Sequence, residues 1–142
     1  GFYTRNEYGA WDVVQRVHWD EAWAKAIGAQ RPYDYGQTRQ VWLSHLLTDW
    51  MGDDGWLASL RLELRRFNYV GDLSRVEGKV IDKPREGEVK IRLSIVNQDD
   101  VETTSGEATV LLPTRATPAP ALPMPPAVPP SVLEAQRTRG KR

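Results

Sequence analysis

The residues of this sequence best suited to chemistry are a histidine and the start of an apolar helix. His18 lies two residues before Asp20, and Gly36 follows eighteen residues later, just ahead of a strongly apolar run. An imidazole exchanges protons near neutral pH, and the free amides of a helix N-terminus favour negative charge. A base beside such a helix end is suited to acyl-thioester chemistry, in which a carbonyl oxygen becomes anionic.

Two helices are predicted around these residues. The segment from Asp20 to Ile27 has apolar residues at helical spacing and is followed by Gly28, a typical stop. The segment from Gln37 to Met51 has such a wide apolar face that we expect a sheet to wrap around it. His45 is predicted to be a core or interface residue. Packing is also the role expected for three tryptophans, Trp23, Trp42 and Trp50.

Four segments of alternating apolar and polar residues follow, around 60–64, 76–80, 89–95 and 108–112. This alternation is typical of antiparallel strands with one buried face. Turn residues separate them, at Asn68, Gly71-Asp72, Lys83 to Gly87, Asn97 to Asp100 and Ser105-Gly106. The order of elements predicts an α+β fold in which an antiparallel sheet wraps around a long central helix.

The composition changes at about residue 113. Eight of the ten prolines lie between positions 113 and 130, mixed mostly with alanine. Because such a segment lacks backbone donors and large apolar groups, we expect residues 114–142 to form an extended or disordered tail with a basic end. The tail is either solvated or docks onto another subunit. Residues 1–113 are predicted to form a single folded domain.

Charge and composition exclude several classes of function. The 19 Lys and Arg residues balance the 19 Asp and Glu residues, so we expect no nucleic-acid partner. The absence of cysteine excludes disulfides and thiolate chemistry, and with two histidines we expect no metal site. We find no membrane span or signal sequence, and we expect a cytoplasmic protein.

Several motifs resemble those of the MaoC-like family of (R)-specific enoyl-CoA hydratases, which have the hot-dog fold. The matching residues are His18-Trp19-Asp20, Ala22 and Ala26, Pro32 and Gly36, and Gly71-Asp72. The spacing from His18 to Gly36 is that of the family, and the similarity covers about residues 10–113. More narrowly, Tyr33-Asp34-Tyr35-Gly36 is similar to a bacterial, often actinobacterial, subgroup.

The resemblance implies reversible addition of water to a 2-enoyl-CoA thioester, with His18 as base and amides at Gly36 as the oxyanion hole. Val13 stands where the family places its acid, so Asp12, through a bulge, or Asp34 would replace it. Tyr35 stands where the family has a second histidine. The alternative is a non-catalytic hot-dog subunit that completes the site of a catalytic partner. Thioesterase activity ranks last because Asp49 lies near the far end of the helix.

The resemblance also implies a binding site and a partner. Ser44 would support the histidine loop, while Tyr35, Trp19 and Trp56 would contact the acyl group. Arg65 and Arg66, with Arg61 and Lys79, would meet the phosphates of coenzyme A or else form ordinary cross-strand ion pairs. Coenzyme A enters as part of the acyl-CoA substrate, with no other cofactor. Exposed strand edges predict a dimer with a second copy or with another hot-dog chain.

Overall fold

The computed structural model describes residues 3–6, 8–120 and 122. Two short antiparallel strands come first, β1 (Tyr3–Arg5) and β2 (Trp11–Val13). A 3₁₀ helix (Val14–His18), the short helix α1 (Glu21–Ala26) and the long helix α2 (Gly36–Met51) follow. The rest is a run of four strands: β3 (Trp56–Leu64), β4 (Ser74–Arg85), β5 (Glu88–Asn97) and β6 (Glu102–Leu111).

The four long strands form one antiparallel sheet in the order β3-β6-β5-β4. The alternation predicted for the segment around 89–95 is clear in β5, where four apolar side chains are buried and the residues between them are more exposed. These four are Val89, Ile91, Leu93 and Ile95. Period-two alternation therefore placed the buried face of β5 correctly, because successive side chains of a strand point to opposite faces.

Helix α2 packs on the buried face of this sheet. Leu43 and Leu47 are fully buried and join the four β5 side chains, with Ala108 and Val110 of β6, in one hydrophobic core. The predicted sheet wrapped around a central helix is confirmed. The apolar face of α2 is wider than the sheet covers, since Val41 remains 63% and Trp50 49% exposed.

Two predicted turns differ from the structure. Ser105 and Gly106 lie inside β6, where they pair with β3 and β5. The predicted turn at Lys83 to Gly87 is shorter, because β4 continues through Pro84 to Arg85 and turns only at Glu86 and Gly87. An edge strand tolerates a proline, whose missing N–H would face away from the sheet. Of the two roles predicted for His45, the core role is wrong: its side chain is 74% exposed and faces Asp49, because it does not share the helix face of Leu43 and Leu47. The interface role stays a prediction.

The last strand ends close to the predicted domain boundary, and residues 112–120 contain no helix or strand. The amide of Leu112 still donates to the Gly87 carbonyl at 2.7 Å. Most of the predicted tail, residues 121 and 123–142, lies outside the described residues, so the boundary stays a prediction. No helix in the described ranges is long and apolar enough to cross a membrane.

Replacing Leu43 by alanine tests this core. We expect Leu43→Ala to lower the free energy of unfolding by about 2–5 kcal/mol, because it removes a fully buried side chain and leaves a cavity. Gln40→Ala, an exposed position on the same helix, is the control and should change stability by no more than about 0.5 kcal/mol. Urea unfolding measures both, and equal midpoints would contradict this description of the core.

Candidate active site

His18 ends the 3₁₀ helix, which is anchored by Arg16. The Arg16 Nη2 donates to Asp20 at 2.6 Å, and its Nε lies 3.3 Å from Asp12 without hydrogen-bond geometry. Asp20 also caps α1 by accepting from the Trp23 amide at 3.1 Å, and this bond lowers the pKa of Asp20 below its ordinary value. The aspartate of the His-x-Asp motif therefore begins a helix.

The His18 ring is held from two sides. Its Nδ1 lies 2.7 Å from the Tyr33 carbonyl oxygen, and its ring packs against Tyr35 with 3.8 Å between centroids. Because a carbonyl oxygen only accepts hydrogen bonds, Nδ1 must carry a proton. In the neutral ring Nε2 then holds the lone pair, which is the state that a general base requires.

The N-terminus of α2 begins at Gly36. Tyr35, the residue before it, gives no side-chain cap, and the first turn of the helix has no acidic residue. The Thr38 amide donates to the Tyr35 carbonyl at 2.9 Å, so the amides before it, of Gly36 and Gln37, are the ones placed to donate to an anion. A Cβ at Gly36 would lie 2.7 Å from Leu64 Cδ1, so a larger residue at this position would require the Leu64 side chain to move.

The loop before α2 is fastened to the loop after β3. The Asp34 amide donates to the Asn68 carbonyl at 2.9 Å, and the Val70 amide donates to the Pro32 carbonyl at 2.8 Å. Together with the bridge between Tyr33 and Tyr69, these bonds form a short antiparallel pairing. The loop that supplies the acceptor for His18 is therefore fixed by backbone hydrogen bonds.

A buried ion pair secures the same loop. Arg39, 3% exposed, donates from Nε and Nη2 to the two oxygens of Asp34, at 2.8 and 2.6 Å. Its Nη1 donates to the Arg66 carbonyl at 2.7 Å, and to the Thr103 carbonyl and Thr104 hydroxyl at 3.3 and 3.2 Å. The sequence analysis missed Arg39. The available signal was a charge one turn before Leu43 on the buried side of the helix.

The Gly71-Asp72 pair is close to this loop. Gly71 has a φ of +94°, which suits a glycine in a tight turn, and the Asp72 side chain is 4% exposed. Asp72 accepts from Arg31 at 2.8 Å and from the Tyr69 amide at 2.9 Å. The pair thus ties the segment after β3 to the start of the loop.

A cavity of about 740 Å³ lies where these parts meet. The predicted site residues in its wall are His18, Asp34, Gly36, Arg65 and Arg66. Tyr35 contacts the His18 ring, whereas Asp12, Ser44, Trp19 and Trp56 are not in the wall. The sequence analysis did not propose the aromatic part of the wall, Tyr33, Phe67 and Tyr69, which neighbouring chain segments bring together.

The predicted phosphate partners differ in their surroundings. Arg65 pairs with Glu63, and Arg61 also lies within 3.6 Å of that carboxylate. Arg66 lines the cavity, and among the described residues no carboxylate lies within 4.0 Å of its guanidinium. Arg61 and Lys79 are not in the cavity wall. In this part of the chain we find no cluster of three or more His, Asp or Glu residues that could hold a metal ion.

No protein-family model and no curated protein matches this sequence. Among solved structures, the chain is similar to an (R)-hydratase from A. caviae involved in PHA biosynthesis. The two sequences are 25% identical, the match covers 69% of this chain and 76% of that chain, and the TM-score is 0.63. It is also similar to the R-hydratase PhaJ1 from Pseudomonas aeruginosa, at 21% identity, with 80% and 74% covered and a TM-score of 0.63.

A third similar structure is the ChsH1-ChsH2 complex from Mycobacterium tuberculosis, at 21% identity, with 68% of this chain and 75% of that one covered and a TM-score of 0.63. These structures confirm the predicted hot-dog fold. They also support the resemblance to the MaoC-like hot-dog proteins.

Removing Asp34 tests the buried ion pair. We expect Asp34→Ala to lower the free energy of unfolding by about 3–5 kcal/mol, because it leaves the Arg39 charge buried without its partner. Asp49→Ala is the matched control, since Asp49 is 70% exposed and faces only His45 at 3.5 Å; its cost should be about 0.5 kcal/mol or less. Equal losses in chemical denaturation would contradict the assignment.

Proposed function

We propose that this chain catalyses the reversible addition of water to a 2-enoyl-CoA thioester. The observation that carries the proposal is the fixed His18 ring, whose Nδ1 is held at 2.7 Å by the Tyr33 carbonyl while Gly36 lines the same cavity. The likeness to the A. caviae (R)-hydratase supports the proposal. The Tyr33-Asp34-Tyr35-Gly36 segment favours the subgroup of MaoC-like proteins that carries this motif.

In the proposed reaction, His18 Nε2 accepts a proton from water as the water oxygen bonds to C3 of the enoyl group. The electrons of the C2–C3 double bond move to the thioester carbonyl, and an amide at the start of α2 donates to the enolate oxygen. The imidazolium then returns the proton to C2, which completes the addition. Arg66 is the proposed partner for a phosphate of coenzyme A, because it lines the cavity and its guanidinium has no carboxylate neighbour among the described residues.

The two carboxylates expected to assist His18 are both engaged by arginines. Asp34 has Arg39 on both oxygens, and Asp12 lies beside Arg16 while accepting from the Val13 amide at 2.8 Å. We therefore propose that neither transfers the proton. Either His18 carries it alone or a partner chain supplies the acid.

The engaged carboxylates support a second candidate function. The chain would be a hot-dog subunit that completes the acyl-CoA site of a catalytic partner, which carries the acid missing at Val13. Exposed apolar residues on α2 and the likeness to a complex of ChsH1 and ChsH2 favour an assembly of two chains, identical or different. Thioesterase activity has less support, because Asp49 is exposed and does not line the cavity.

The direct test is the absorbance of the enoyl-thioester band after mixing with crotonyl-CoA or a bulkier enoyl-CoA. We expect the absorbance to fall as the double bond is hydrated. Absence of turnover with both substrates, for the chain alone and for its mixtures with candidate partner chains, would contradict the hydratase proposal.

His18→Ala identifies the base. If His18 accepts the proton from water, kcat should fall by about two to four orders of magnitude while folding is retained. His45→Ala is the control, because the other histidine of the chain is exposed and lies outside the cavity wall. Unchanged turnover in His18→Ala would show that this ring is not the base.

Light scattering and a mixed complex separate the two candidate functions. We expect a dimer at micromolar concentration, either of two copies of this chain or of this chain with a different hot-dog chain. A protein that stays monomeric alone and in mixtures with candidate partner chains would contradict both kinds of dimer. In a purified complex with an active partner, His18→Ala should abolish turnover if this chain supplies the base. Full turnover in that complex would assign the chemistry to the partner and support the subunit function.

A further inference from the structure

The peptide group between Tyr33 and Asp34 is held at both ends. Its carbonyl oxygen, on the Tyr33 side, accepts from His18 Nδ1 at 2.7 Å. Its N–H, on the Asp34 side, donates to the Asn68 carbonyl at 2.9 Å. Because an amide is planar, its carbonyl keeps its direction only while the whole group is fixed. The contact that selects the His18 tautomer therefore depends on what holds this one peptide.

Arg39 holds it through the Asp34 side chain. Two parallel hydrogen bonds at 2.6 and 2.8 Å remove the rotational freedom of the carboxylate, and the third nitrogen of the guanidinium binds the carbonyls of Arg66 and Thr103. These acceptors belong to the end of β3 and the beginning of β6. The loop is thus fixed to the sheet by a side chain that starts in the first turn of α2.

We propose that Arg39 is a positioning residue that keeps His18 in the Nδ1–H tautomer, and so keeps Nε2 free to act as a base. It acts through Asp34 and the Tyr33–Asp34 peptide, and its own hydrogen bonds go to Asp34 and the sheet and none to the imidazole. The catalytic part of this inference rests on the proposed hydratase function. The positioning part concerns the protein alone and is measurable without turnover.

Arginine suits this task for a geometric reason. Its planar fork offers Nε and Nη2 side by side to one carboxylate, while Nη1 remains for the acceptors on the sheet. Lysine would keep the positive charge but offers a single nitrogen, which cannot bind both Asp34 oxygens in parallel and the sheet carbonyls together. Arg39→Lys therefore removes the positioning geometry while it retains the charge.

The test is nitrogen NMR on protein labelled with ¹⁵N-histidine, at a pH where both rings are neutral. We expect the His18 signals of the parent to show the proton on Nδ1. In Arg39→Lys they should move towards a mixture dominated by Nε2–H, the form that a free imidazole side chain favours. His45 is an internal reference in the same spectrum, and its signals should not move.

Arg75→Lys is the matched control, because Arg75 forms exposed ion pairs with Glu77 and Asp100 at one edge of the sheet. It should leave both histidines unchanged. A second variant, Asp34→Asn with Arg39→Gln, removes both charges and should give the same His18 mixture as Arg39→Lys. An unchanged His18 tautomer in a folded variant would overturn the proposal. Unfolding of both variants would assign the pair to stability alone and would also overturn it.

Kinetics then links the tautomer to the reaction. If the parent hydrates an enoyl-CoA, Arg39→Lys should lower kcat by on the order of 100-fold with KM little changed, because misplacing a base affects the chemical step more than binding. A tautomer change with a parent that shows no turnover would retain the positioning role and reject the hydratase function. A tautomer change in an active enzyme whose kcat is unaltered would reject the catalytic part of the inference.

Discussion

The buried ion pair between Asp34 and Arg39 is the contact on which the geometry of the cavity depends. Removing two charges from water costs several kcal/mol for each, so such a pair persists only where hydrogen bonds replace the lost hydration. Here all three nitrogens of the guanidinium have acceptors, supplied by Asp34, by two backbone carbonyls and by the Thr104 hydroxyl. The arrangement brings together a loop, a helix and two ends of the sheet.

This constraint couples packing to chemistry. The loop that carries Asp34 also supplies the Tyr33 carbonyl to His18 and leads directly into the N-terminus of α2 at Gly36. His18 and the N-terminus of α2 are therefore fixed relative to each other by contacts within the protein. Such preorganisation is a major source of catalytic power, because no reorientation of dipoles is needed as charge develops.

A shared fold does not by itself define the chemistry of this chain. Its structure is similar to those of (R)-hydratases, yet Val13 stands five residues before His18, where the MaoC-like resemblance predicts an acid. Arginines engage both nearby carboxylates, Asp12 and Asp34. The structure thus brings one histidine and one helix N-terminus to the same cavity, and our proposal leaves the acid either to His18 itself or to another chain.

Local patterns determined most of the fold. The alternation in β5, the long apolar helix and the short helix α1 follow from side-chain periodicity, and each lies close to where it was predicted. His18 and Gly36, which were chosen for their types and spacing, line one cavity, and their catalytic roles stay a prediction.

Only the tertiary structure decided the state of the carboxylates and the wall of the cavity. Asp34 and Arg39 lie five residues apart, but their pairing depends on carbonyls at Arg66 and Thr103, which the sheet brings to the same place. The exposure of His45 likewise depends on which face of α2 the sheet covers. The continuation of β4 through Pro84 depends on the place of β4 at the edge of the sheet. A sequence shows which residues are able to ionise or pair, whereas burial and long-range contacts decide which of them do so.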